Sequence, residues 1–136
     1  MIVRHLTIND LMVGDWIQHN GNPKMISVIW PFSVSLYDPT KTLGSIYADK
    51  FSIEEIQPIE LTTEILEKNG FTKENGLYYW TQEKDGKTIA GVYYWVDEKY
   101  INIAGYEDDG VTISCPYVHI LQHALKLCHI EKEITL

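Results

Sequence analysis

The sequence predicts an α+β protein. A small β-barrel-like module over residues 1–60 is expected to pack on a C-terminal unit over residues 61–136, the two together being compact enough to form one domain. The C-terminal unit should run helix, four-stranded antiparallel meander, helix, strand. Three observations predict this. Residues 1–60 break into short apolar, β-branched runs separated by turn formers. A short segment with clear helix-start and helix-stop signals follows at Thr62–Phe71. Two similar aromatic pieces, LYYW (Leu77–Trp80) and VYYW (Val92–Trp95), then flank an Asp-Gly dipeptide, a strong hairpin signal.

In the first module, DLMVGDWIQ places Leu11, Val13 and Trp16 among polar residues, with Gly14-Asp15 as a kink or bulge. HNGNPK (His19–Lys24) is dense in turn formers. MISVIW (Met25–Trp30) reads as a buried strand. SVSLYD (Ser33–Asp38) alternates Val34 and Leu36 with serines, the period of a half-buried strand. DPTKTLG turns the chain and SIYADKFSIEEI carries it back. So many short strands in so few residues cannot all present edges to water, and a small curled barrel or roll solves the problem.

Pro58 marks a change of character. In LTTEILEKNGF, Thr62 can cap a helix of about two turns by accepting a free amide, and Glu64 and Glu67 lie towards its positive end. Asn69-Gly70 stops it, Gly70 suiting the left-handed position, with Phe71 folding back on Leu66. If Asp85-Gly86 is a two-residue turn, Lys84 faces Lys87, Tyr78 faces Tyr93 and Trp80 faces Gly91. Tyr78, Trp80, Ile89, Tyr93 and Trp95 would then share one face, expected to be the buried one. YINIAG and GVTIS continue the alternation through an acidic turn, YEDDG (Tyr106–Gly110). A helix starts near Pro116, and IEKEITL alternates like a closing strand.

Composition excludes several functions. The 136 residues carry a formal net charge of -8, with 45% hydrophobic and 22% charged residues. Residues 1–60 hold 4 Lys/Arg against 7 Asp/Glu, and residues 61–136 hold 7 against 12. Neither half supplies the basic face a phosphate backbone needs, so no nucleic-acid partner is expected. No apolar run reaches the roughly 18 residues of a membrane span, and the N-terminus lacks a signal-peptide core. No membrane partner is expected, therefore, and the protein should be cytoplasmic, with Cys115 and Cys128 reduced.

The segment YVHILQHALKLCH (Tyr117–His129) carries the strongest hint of chemistry. His119 and His123 are four apart, as in a zinc-binding helix. The glutamate such a motif needs as general base is absent from HILQH, and neighbouring sequence offers no third ligand. At 3.6 residues per turn, His119, Gln122, His123 and Lys126 form a polar stripe opposite Val118, Leu121, Ala124, Leu125 and Cys128. A solvated stripe is therefore the preferred reading, and no metal or cofactor is expected. Cys115, before a helix start and one turn from His119, has the setting of a nucleophile but no legible partners. YEDDG lacks the ligand spacing of a calcium loop. Tyr78, Trp80, Tyr93 and Trp95 form the candidate ligand platform, against the plainer reading that they are core.

LTINDLMVGDWI, PIELTTEILEKNGF and YVHILQHALKLCHIEKEI resemble, in this order and over most of the chain, a group of small uncharacterised bacterial proteins, some associated with prophages or mobile elements. The resemblance implies no activity, so no catalytic residue carries over. The DLxxGDW opening is similar to small SH3-like barrels. The leading expectation is a non-enzymatic adaptor of a bacterium or its phage, acting on a protein partner. The alternatives are a metal-dependent hydrolase or metal-binding protein using His119 and His123, and a small-ligand binder using the aromatic sheet face.

Overall fold

A computed structural model describes residues 6–37, 49–104, 111–114 and 117–136. The turn at 38–44, the YEDDG turn, Cys115 and the helix start at Pro116 lie outside these residues. The chain divides into two compact units, Met1–Ile59 and Glu60–Leu136. Among the described residues, no helix is long and apolar enough to cross a membrane.

The first unit is one antiparallel sheet. Its strands are β1 (Trp16–His19), β2 (Asn22–Ile29), β3 (Ser33–Leu36), β4 (Phe51–Ser52) and β5 (Ile56–Pro58), in the order β4-β3-β2-β1-β5. Short 3-10 turns at Ile8–Asp10 and Ile53–Glu55 precede β1 and β5. Asn20 and Gly21, both at positive φ, form the two-residue β1–β2 turn. The expected Gly14-Asp15 kink is a turn closed by side chain and backbone together. The Met12 amide donates to Asp15 Oδ2 at 2.8 Å, and the Asp15 amide donates to the Met12 carbonyl at 3.1 Å. Leu11, Ile17, Ile26, Val34, Leu36 and Ile56 make the core, while Val13, expected alongside Leu11, is exposed. Ser35 is buried as well, accepting a hydrogen bond from the Trp30 indole at 3.0 Å, so β3 does not alternate cleanly between core and water.

In the second unit, α1 (Thr63–Lys68) is capped as expected: the Ile65 amide donates to Thr62 Oγ1 at 3.3 Å. At its other end Gly70 (φ 84) donates to Glu67 and Phe71 to Leu66, the paired bonds of a Schellman stop. The meander has five strands rather than four: β6 (Thr72–Glu74), β7 (Leu77–Lys84), β8 (Lys87–Trp95), β9 (Tyr100–Ala104) and β10 (Val111–Ser114), in sequential order. The additional strand follows from Asn75-Gly76, both at positive φ, which make a two-residue turn pairing Glu74 with Leu77. Then comes α2 (Val118–Leu127), which packs against β9.

Residues 130–136 form no strand, against the expectation for IEKEITL. Ile130 and Ile134 do alternate into the core, but the partner of this tail is a side chain. Asn69 Oδ1 accepts from the Thr135 amide at 2.8 Å, and Asn69 Nδ2 donates to the Thr135 carbonyl at 2.9 Å. One amide group thus satisfies the backbone donor and acceptor that a neighbouring strand would otherwise take.

Candidate functional site

The hairpin begins as expected and then departs. Asp85 (φ 54) and Gly86 (φ 78) form the turn, and Lys84 faces Lys87. A bulge follows, in which Glu83 pairs with Thr88, Gln82 with Ala90, and Ile89 is the extra residue. One inserted residue slips the pairing by one. Tyr78 faces Tyr94 rather than Tyr93, Trp80 faces Val92, and Gly91 faces Thr81. Because side chains alternate across a sheet, this sends Tyr93 and Trp95 to the opposite face from Tyr78 and Trp80. The four aromatics expected to form one platform are therefore split.

The helix-facing side of the sheet carries Tyr78, Ala90, Val92, Tyr94, Ile101 and Ile103, all buried. Tyr78 reaches α1, its hydroxyl donating to Glu67 Oε1 at 3.2 Å. Trp80 lies on this side with the Lys132 ammonium 5.2 Å from its ring. Partial burial there holds the Lys132 amine below its ordinary value.

The other side collects Tyr79, Tyr93, Trp95 and Tyr100, with Leu77 and Gly91. The Tyr79 and Tyr93 rings lie 6.4 Å apart at 26°, and those of Trp95 and Tyr100 lie 6.4 Å apart at 35°. The other three rings are half-buried, whereas Trp95 is 38% exposed. A Cβ built on Gly91 would stand 2.6 Å from Tyr93 Oη and 2.7 Å from Tyr93 Cε2, so the Tyr93 ring lies down over the glycine. It is this ring, not the Trp80 indole, that needs the absent side chain. Partial burial, reinforced by Glu98, with which its hydroxyl hydrogen-bonds, holds the Tyr100 phenol above its ordinary value.

His119 is not on a solvated stripe. It is 1% exposed, stacked on Tyr117 at 6.0 Å and 19°, and met edge-on by His123 at 5.7 Å. A bridge pairs Glu60 with Tyr117, the residue that precedes α2, so a second chain segment runs beside the start of the helix. A helical wheel assumes a single apolar neighbour and fails there. Among the described residues, no three His, Cys, Asp or Glu side chains are grouped to hold a metal ion. Cys128 is buried in the core.

The first unit holds a cleft of about 450 Å³ lined by Trp16, Pro23, Lys24, Met25 and Tyr37. Trp16 pairs with Met25, and the Tyr37 amide donates to the Met25 carbonyl at 2.7 Å, so β1, β2 and the residue that follows β3 contribute. This row, like Tyr79 and Tyr100 in the aromatic face, was not singled out from sequence. The Asp-Gly register would have had to include the bulge to bring Tyr79 forward. Compared with family models, curated proteins and solved structures, the chain finds no match.

Proposed function

We propose that this chain is a non-catalytic binding protein whose recognition surface is the outer face of the C-terminal sheet. One observation carries the reading: Tyr79, Tyr93, Trp95 and Tyr100 gather on the side of the sheet opposite its helix-covered core. Large aromatics kept on such a face supply contact area with few rotatable bonds, the property that enriches them in binding surfaces. A metal-dependent hydrolase through His119 and His123 has less to stand on, since His119 is buried and no third ligand adjoins the pair among the described residues. For the first unit we infer an SH3-like barrel. The order β4-β3-β2-β1-β5, a 3-10 turn entering β5 and a pairing irregularity in β2 between Ile26 and Val28 support it, because a bulge is how a short sheet bends to curl on itself.

The test compares the two faces of one strand. If the outer face serves recognition, Trp95→Ser should change unfolding free energy by less than about 1 kcal/mol, as surface substitutions do. Tyr94→Ala, one residue away on the core side, should cost about 3–5 kcal/mol. Equal losses in urea melts would make the outer aromatics structural and refute the reading.

A further inference from the structure

Resting on the reading of this face as a recognition surface, we propose that its ligand is a neutral oligosaccharide, bound by stacking sugar rings on the Tyr79–Tyr93 and Trp95–Tyr100 pairs. The argument starts at Gly91. Because Gly91 has no side chain, the Tyr93 ring leans along the strand into the space a Cβ would fill. The Tyr79 ring is inclined by 26° to it with its centre 6.4 Å away, so the two rings stack as a pair on this face. Trp95 is two residues beyond Tyr93 on β8, about 7 Å further at the rise of a strand, and starts a second pair with Tyr100. A ligand with successive flat rings suits this spacing better than a single ring.

The polar groups decide what kind of ring. Asn102, Thr112 and Ser114 share this face and are exposed, and Thr81 is half-buried beside Gly91. Together with the tyrosine hydroxyls they are uncharged donors and acceptors. Among the described residues the rows from Thr81 to Leu77 across β7, β8, β9 and β10 hold no Lys or Arg; the acids Glu74 and Glu83 stand at the rims, and Glu98 hydrogen-bonds the Tyr100 hydroxyl. A sugar ring offers polarised C–H groups on one side and hydroxyls around its edge, which matches aromatic rings set among hydroxyls, an amide and carboxylate acceptors. A nucleic-acid base would stack as well, but its phosphates need cations, which the described rows of this face do not hold, and a net charge of -8 opposes it.

The experiment is an NMR titration of the full chain with four probes: a β-1,4-linked glucose hexamer, a β-1,4-linked N-acetylglucosamine hexamer, a thymidine 12-mer and a proline 10-mer. One of the two hexasaccharides should shift the Trp95 indole and the β8 amides, with an affinity unchanged between roughly 50 and 500 mM salt, because no ion pairs form. Trp95→Ala should weaken that binding at least tenfold while the spectrum stays folded. Gly91→Val, which forces the Tyr93 ring up from the sheet, should do the same. If neither hexasaccharide shifts these signals, the proposal is wrong. In that case, shifts on the same face with the thymidine or proline oligomer would keep the recognition surface and replace its ligand, whereas silence from all four would remove both.

Discussion

Asn69→Ala should release the C-terminal tail. The residue is the C-cap of α1 and is 6% exposed. Its amide donates to the carbonyls of Ile65 at 2.8 Å and Thr135 at 2.9 Å, and its carbonyl accepts from the Thr135 amide at 2.8 Å. Each such bond contributes about 0.5–1.5 kcal/mol net, and a partner left buried and unpaired costs about 1–3 kcal/mol. Thr135 is exposed as a residue, so water can reach part of what is lost. We therefore expect a destabilisation of about 2–3 kcal/mol and a fall in melting temperature of roughly 5–15 °C. The Thr135 amide should also lose its hydrogen-exchange protection. Asn69→Asp sharpens the test, because it keeps the shape and the acceptor but turns a second oxygen towards two carbonyls. At neutral pH it should be worse than Asn69→Ala. Burial and the facing carbonyls disfavour the charged carboxyl, so its folded pKa lies above the unfolded value of about 3.9. The stabilisation by the protonated form is then complete below about 3.9 and is lost as pH rises through the folded value. An Asn69→Ala protein within about 0.5 kcal/mol of the parent, with Thr135 still protected, would refute the assignment of Asn69 as the partner of the tail.

Two further outcomes follow from the second helix. His119→Ala should cost about 2–4 kcal/mol, as deletion of a buried ring does, while His123→Ala, at a half-buried position, should cost less; equal and negligible losses in urea would restore the solvated stripe. His129 ends α2 at φ 56, its amide donating to Lys126 and that of Ile130 to Leu125. His129→Gly should accordingly stabilise by about 1 kcal/mol, and a lower melting temperature would show that the histidine makes a contact worth more than its strained backbone.

The features legible in the sequence are those that local chemistry decides. Thr62, Asn69 and Gly70 bound α1 because a capping hydroxyl and a residue without Cβ act within one turn of where they stand. Asp85-Gly86 sets its turn for the same reason. Asn75-Gly76 carried an equally local signal for β6, and it stood unread between the helix and the hairpin.

Tertiary structure decided which aromatics face out. The extra residue at Ile89 places Val92 and Tyr94 in the core with Ile101 and Ile103, and turns Tyr93 and Trp95 away. Without it, Val92 would sit on the outer face and Trp95 on the inner one. Strand alternation defines two sets of side chains but is indifferent to which set is buried. That choice belongs to whatever covers the sheet, here α1, α2 and the tail held by Asn69. The same limit applies to His119, which the wheel puts on the polar stripe and the fold buries. Periodicity reports on one surface of an element, and burial is set by every surface that meets it.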